Sequence, residues 1–97
     1  LFRMRAGIAD ALYPEYASIA KSETWSLELE IGTTYMINPG SVGQPRDGDW
    51  RAAFGVFDTD KRTMTFCRTP YDVRSAQERI LAANLPPRLA TRLAAGR

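Results

Sequence analysis

Fifteen consecutive residues, Ile37 to Arg51, read INPGSVGQPRDGDWR and carry three glycines, two prolines and four charges. No helix or strand runs through such a stretch, because the glycines and prolines between Pro39 and Gly48 are never more than three positions apart. Connections of this length are uncommon inside a compact domain and are usually functional or disordered. The segment therefore splits the regular structure into two blocks, and the pattern on each side says what those blocks are.

Before it, the apolar residues recur at every second position. Trp25, Leu27, Leu29 and Ile31 alternate with Ser26, Glu28 and Glu30, which predicts a strand over 25–31 with those four residues on one face. Gly32-Thr33 is a tight turn into a short strand at 34–37. After the segment, RAAFGVFD predicts a strand over 51–57 and TMTFCRT one over 63–69, joined by the reverse turn Asp58-Thr59-Asp60-Lys61. These two form an antiparallel hairpin. Parity leaves two sets for its core face, Ala52, Phe54 and Val56 or Ala53 and Phe57. The first is preferred because it groups Phe54 with Val56 and leaves Gly55 where another layer can approach.

The period then changes to helical. Asp72 is a good N-cap with Tyr71 as its staple residue, and Val73, Ala76, Ile80 and Ala83 line one face of a helix over 72–83, expected to cover the sheet. Asn84 suits a left-handed closure. Pro86-Pro87 starts a second helix over 87–95 whose apolar face is Leu89, Ala90, Leu93 and Ala94. Residues 1–24 give a mixed signal: Met4, Ile8, Ala11 and Leu12 stand at helical spacing until Pro14 interrupts, which reads as a short helix or irregular segment. The whole is an α/β chain, α+β taken alone, and its 97 residues allow one small domain.

The long segment has the chemistry of an anion or ligand edge. Gly40 and Gly43 permit a close backbone approach, and their amides with that of Ser41 could form a nest for an oxyanion. Arg46 brings a forked donor suited to phosphate. Asp47, Gly48 and Asp49 make a turn fixed by its own carboxylates. The alternative is an ordered connection in which Asn38 and Asp49 merely cap backbone groups. It is not a Walker loop, since the terminal Lys-Ser/Thr is absent.

Composition removes several chemistries. There is no histidine, so an imidazole base, a Ser-His pair and a histidine metal site are excluded within the chain. Asp47, Asp49, Asp58 and Asp60 lie in turns without the spacing of a calcium loop, and no metal is assigned to them. Cys67 is alone, which excludes an internal disulfide and points to a cytoplasmic chain. No signal peptide or membrane-length apolar run is visible. The net charge of +2 is too small to imply nucleic acid, although the stretch from Arg68 to Arg97 holds six arginines against Asp72 and Glu78.

The run INPGSVGQPRDGDWRAAFGVFD, followed by Tyr71-Asp72-Val73 and Leu85-Pro86, closely resembles the C-terminal part of calcineurin-like metallophosphoesterases of the small bacterial and archaeal predicted-phosphodiesterase type. The resemblance covers about Ile31 to Arg97. Trp50 departs from it, since a small residue or proline is more usual there, and residues 1–24 match nothing in it and read as an insertion. The resemblance implies part of a four-layer α-β-β-α sandwich. It also implies a parent that is a metal-dependent phosphodiesterase or phosphatase with two divalent ions of the Mn, Mg, Fe, Ni or Zn type. All the family's metal motifs precede the matching region, the last being a Gly-His-Thr-His run expected just upstream of residue 1. This chain is then expected to hold no catalytic centre and to be inactive alone. It would supply strands of the second sheet and an active-site rim at Asn38, Gly40 and Ser41, with Gln44 and Arg46 as substrate-side or anchoring residues and Gly43, Asp47, Gly48 and Asp49 shaping the loop. Its expected partners are the missing N-terminal half, a phosphoester substrate and, through an exposed sheet edge, a second copy. The alternatives are a small anion- or nucleic-acid-binding module, resting on the loop and the arginine-rich helices, and a non-catalytic domain that completes a sheet.

Overall fold

The computed structural model describes every residue from Leu1 to Arg97. Six strands and two helices follow in order: β1 (Phe2–Arg5), β2 (Ile8–Ala11), β3 (Glu23–Glu28), β4 (Thr34–Met36), β5 (Ala52–Asp58), β6 (Thr63–Thr69), α1 (Val73–Ala82) and α2 (Pro87–Ala95). They form two three-stranded antiparallel sheets, ordered β2-β1-β4 and β3-β6-β5. No helix is long and apolar enough to cross a membrane.

The N-terminal segment is not helical. Residues 2–5 and 8–11 pair as a hairpin across Ala6 (φ 52°) and Gly7 (φ 76°), both in the left-handed region that a two-residue hairpin turn of matching twist requires. The apparent helical spacing of Met4, Ile8, Ala11 and Leu12 is a coincidence of two short strands. β4 departs from expectation as well. It pairs with β1, not with β3, and β3 ends at Glu28, so Leu29 and Ile31 lie outside the strand and Ile31 is exposed. The chain leaves β3 through a corner in which the Glu30 amide donates to the Tyr35 hydroxyl at 2.9 Å. The Glu30 carboxylate there accepts from Arg5 of β1. That grip carries residues 34–36 to the first sheet.

The hairpin of β5 and β6 forms as its pattern predicts, with Asp58 Oδ1 accepting from the Asp60 and Lys61 amides in the turn. Its core face is the other parity. Register places Ala53, Gly55 and Phe57 opposite Arg68, Phe66 and Met64, and Trp25 and Leu27 of β3 join that face. Ala53, Met64 and Phe66 are buried, whereas Phe54 and Val56 point out of the opposite side and are exposed; Phe57 shares the buried parity with Ala53 but is itself exposed. Trp25 meets Phe66 with ring centroids 5.7 Å apart.

What covers this face is the long segment, not α1. Pro39 crosses over Gly55, where an added Cβ would lie 3.1 Å from the proline ring and would collide with the Met64 methyl. Gly40 (φ 100°) sits so close to β5 that a Cβ there would meet that of Ala53 at 2.6 Å. The small residues at 53 and 55 exist to admit the loop, which is the physical reason the bulky pair faces outward. Helix α1 instead packs on α2. Asp72 caps it by accepting from the Ser75 amide, and Gln77 Nε2 donates to the Ala90 carbonyl at 2.9 Å. Val73, Ala76 and Ile80 are half-buried in that pairing and Ala83 is exposed. Asn84 closes α1 with φ 59°, and Pro87 opens α2.

Candidate functional site

Each turn of the 38–49 loop is fixed by a local side chain. Asn38 Oδ1 accepts from the Gly40 amide at 2.9 Å. Ser41 Oγ accepts from the Gly43 and Gln44 amides at 3.2 and 2.8 Å. Asp47 Oδ1 accepts from the Asp49 amide, and Asp49 Oδ1 from that of Arg51. These are the side-chain turns that Asn, Asp and Ser form because their short polar groups reach a backbone amide two or three residues on. Two of the three amides expected in an anion nest, those of Gly40 and Gly43, are thereby already occupied.

The loop is also clamped from outside. Ser41 O accepts from the Ala53 amide of β5 at 2.9 Å, and the Gly48 amide donates to the Gly96 carbonyl at the end of α2 at 2.9 Å. Gln44, with its side-chain oxygen turned toward Arg92 of α2, accepts from that guanidinium at 2.7 to 2.8 Å. Trp50 stacks at a tilt on Tyr71, centroids 6.2 Å apart, and so tethers the loop to the start of α1.

Beneath the loop lies a charge network that sequence reasoning missed. Arg51 is completely buried. Its Nε and Nη2 grip Asp49, the latter at 2.6 Å, while Nη1 donates to Glu23 Oε2 at 2.9 Å and to the Lys21 carbonyl at 2.8 Å. Glu23 in turn accepts from the Ala17 and Ser18 amides. Arg68 of β6, also buried, pairs with Asp47 and lies 3.6 Å from Asp49. Both guanidinium carbons stand over the Tyr16 ring, at 5.2 and 5.5 Å from its centroid, within cation–π range. A planar, permanently charged fork is the side chain that satisfies two carboxylates and a carbonyl at once. The one local signal was the parity of the two arginines: Arg51, just before β5, and Arg68, within β6, both fall on the side that turns inward.

The electrostatics follow the geometry. Hydrogen bonds from Arg51 hold the Asp49 and Glu23 carboxyls below the usual carboxylate range against their partial burial. Burial pushes Asp47 upward, but the bond and charge of Arg68 outweigh it and leave that carboxyl low. Asp49 raises Arg51 still further above its ordinary value. Burial raises the Tyr16 phenol, with Arg68 and Arg51 opposing. These acids are thus ionised and committed to arginine. No group of three or more His, Cys, Asp or Glu side chains is placed to hold a metal ion.

Between the loop and the segment around Tyr13–Tyr16 runs a groove of about 650 Å³. Asn38, Gly40, Ser41, Gln44 and Arg46 all line it, together with Asp47, Phe66 and Arg68. Gly43, Gly48 and Asp49 belong to the loop but not to its wall. Arg46 is exposed and forms no ion pair, in contrast to the two buried arginines.

No family model matches the chain. An uncharacterized protein of Methanocaldococcus jannaschii is 46% identical over 69 residues, which is 71% of this chain and 28% of that protein. The crystal structure of a metallophosphoesterase from Sphaerobacter thermophilus matches with a TM-score of 0.75 and 36% identity, over 99% of this chain and 38% of the other. The chain thus has a metallophosphoesterase-like fold, an α/β sandwich arrangement of antiparallel sheets with C-terminal helices, and spans well under half the length of both proteins.

Proposed function

We propose that this chain is the C-terminal portion of a metal-dependent phosphoesterase, supplying strands of its second sheet and the rim of its active site, with the metal centre carried by polypeptide outside these 97 residues. The observation that carries the reading is the match of nearly the whole chain to about two fifths of a solved metallophosphoesterase at 36% identity. The shape supports it. A self-contained domain of this length has a radius of gyration of about 12 to 13 Å, whereas this chain has 16.2 Å and measures 51 × 24 × 23 Å. Two apolar faces are open, one carrying Phe2, Met4 and Met36 on the first sheet and one carrying Phe54 and Val56 on the second. Such surfaces are normally covered by further polypeptide.

Two-metal hydrolysis uses ions about 4 Å apart to stabilise the attacking and leaving oxygens. The residues present do not fit such a centre. The chain has no histidine, and Asp47, Asp49 and Glu23 are neutralised by Arg68 and Arg51. Its own contribution is to shape a groove wall. The loop is fastened at both ends, so its exposed backbone is in place before a phosphoester arrives, and only the free Arg46 side chain is left to be ordered on binding.

Turnover of bis(p-nitrophenyl) phosphate with Mn²⁺ tests this. The 97-residue chain alone gives none, and the same chain joined to the polypeptide encoded immediately upstream gives turnover that chelation abolishes. Chelatable turnover by the chain alone overturns the placement of the metal centre. A joined protein without metal-dependent turnover overturns the function.

A further inference from the structure

We propose that the free edge of β5 pairs with β5 of a second copy of this chain, antiparallel about a two-fold axis at Val56, so that two three-stranded sheets become one sheet of six strands. Four edges are open in the two sheets, those of β2, β4, β3 and β5. β2 and β4 have only four and three residues, and β3 carries Glu23 and Glu28 at its ends. β5 has seven residues, with no charge or proline from Ala52 to Phe57, and so lacks the side chains that ordinarily blunt an edge. Around it Phe54, Val56 and Phe57 are 41%, 53% and 52% exposed. Phe57 stands out among them, because it shares the face of buried Ala53 and Met64 and yet half of it lies open.

The backbone selects a copy of the same strand. The Ala53 amide points away from β6, where the Ser41 carbonyl accepts it at 2.9 Å. Direction alternates along an antiparallel ladder, so Gly55 and Phe57 turn their amides and carbonyls the same way, and no loop group meets them. Thr59 already belongs to the turn. The usable edge is therefore the pair of positions that flank Val56, closed at one end by Ser41 and at the other by the turn. A longer strand from elsewhere runs into Ser41, whereas a two-fold copy fits the gap. Gly55 of each copy then pairs with Phe57 of the other, and each pair exchanges two hydrogen bonds. Each Phe57 ring lies across from a glycine, where an aromatic side chain covers the bare backbone. On the opposite face the two Val56 side chains meet at the close spacing of a non-hydrogen-bonded pair. Charge is compatible with this register: Asp58 falls opposite Phe54, and the two Asp58 stand roughly 14 Å apart along the ladder, beyond the screening length at physiological salt. The apolar area covered is roughly 250 to 300 Å² per copy, short of the roughly 1,200 Å² in total of a stable interface. The dimer therefore forms at roughly 0.1 mM rather than at nanomolar concentration. Polypeptide stacked on the Phe54–Val56 face leaves the edge free, so the pairing stands apart from the phosphoesterase reading.

Sedimentation velocity tests this between about 10 μM and 1 mM, on the 97-residue chain and on the same chain joined to the polypeptide encoded immediately upstream. Both are expected to pass from monomer to dimer, and hydrogen exchange at the Gly55 and Phe57 amides should slow several-fold over that range. In the 97-residue chain, Val56→Lys and Val56→Glu each set a charge against its own copy at the axis and should remain monomeric. Mixed one to one, the two variants should recover the dimer, because opposite charges then face each other across the strands. Val56 is half exposed, and the fluorescence of Trp25 checks that both variants fold. A wild-type chain still monomeric at the top concentration, a dimer that persists in either variant alone, or a mixture that recovers nothing overturns the inference. Exchange at Gly55 and Phe57 that ignores concentration overturns it as well. So does association of the isolated chain with a monomeric joined protein, a result that gives the edge to the upstream polypeptide.

Discussion

Replacing Arg51 with methionine keeps the length of the side chain and removes its charge, and the structure says what is left behind. Asp49 and Glu23, with side chains only 14% and 18% exposed, lose their common counter-ion, and the Lys21 carbonyl loses its donor. Losing a bond to a charged group costs roughly 1.5 to 3 kcal/mol, and the bonds to one guanidinium are not additive. Removing one member of a buried ion pair costs about 3 to 5 kcal/mol in total. A domain of this size has on the order of 5 to 10 kcal/mol of stability, so the variant should sit near the edge of folding. Urea unfolding followed through Trp25 and Trp50 measures it, with Arg51→Lys, which keeps the charge but not the fork, falling between wild type and methionine. The pH dependence gives a second reading. Asp49 and Glu23 have folded pKa values below their unfolded ones, chiefly through Arg51. Their contribution is therefore complete above the unfolded value near pH 4 and is lost as pH falls through the folded values. Wild-type stability should drop on acidification below about pH 4, and the slope should flatten in Arg51→Met. A loss below about 1 kcal/mol, of the size expected for an exposed pair such as Arg74–Glu78, or an unchanged acid slope would refute the claim that this network fastens the loop.

Gly40→Ala should destabilise the chain by roughly 2 to 4 kcal/mol, combining the left-handed φ with a contact that the Ala53 methyl cannot yield; the midpoint of chemical unfolding measures it, and Ala53→Gly in the same chain should recover part of the loss. Ile80→Ala should cost about 1 to 2 kcal/mol, less than a full core deletion, because Ile80 is half-buried against α2 and touches no strand; loss of helical circular dichroism at lower temperature, with the Trp25 signal unchanged, is the expected result.

The elements that alternate or repeat cleanly were legible in the sequence. β5 and β6 pair across the Asp58 turn, and Asp72, Asn84 and Pro87 bound the helices where their side-chain chemistry places them. The facing of β5 was not, because the rule that bulky apolar residues point inward fails where a loop is the covering layer and needs small residues beneath it. Gly55 held the signal: a glycine inside a strand marks a close approach, and Ala53 shares its parity while Phe54 does not. The N-terminal hairpin was hidden because Ala6 is a poor residue for its left-handed turn position, so only Gly7 announced it. Of the candidate site, the loop residues were visible from their types, but Arg51, Arg68, Tyr16 and Glu23 come from four separate segments, and only the folded backbone brings them together. The tether from Trp50 to Tyr71 was likewise invisible, since one aromatic residue does not name its partner.

The bond from Gly48 to Gly96 joins the middle of the chain to the end of α2, and a Cβ on Gly96 would collide with the Gly48–Asp49 backbone at 2.6 Å. A nascent chain makes the loop first and its latch last. At ordinary rates of translation the intervening residues take roughly 2 to 10 s to be added, an interval far longer than the roughly 1 to 10 μs in which a hairpin forms. Until then the sheet face beneath Pro39 and Gly40 is held without the α2 latch, by the Ser41–Ala53 bond, the arginine network and the Trp50–Tyr71 contact as their residues are added. The burial of Arg51 thus acts in time as well as in space: it is a fastening open to a half-made protein, before the helix that completes the clamp exists.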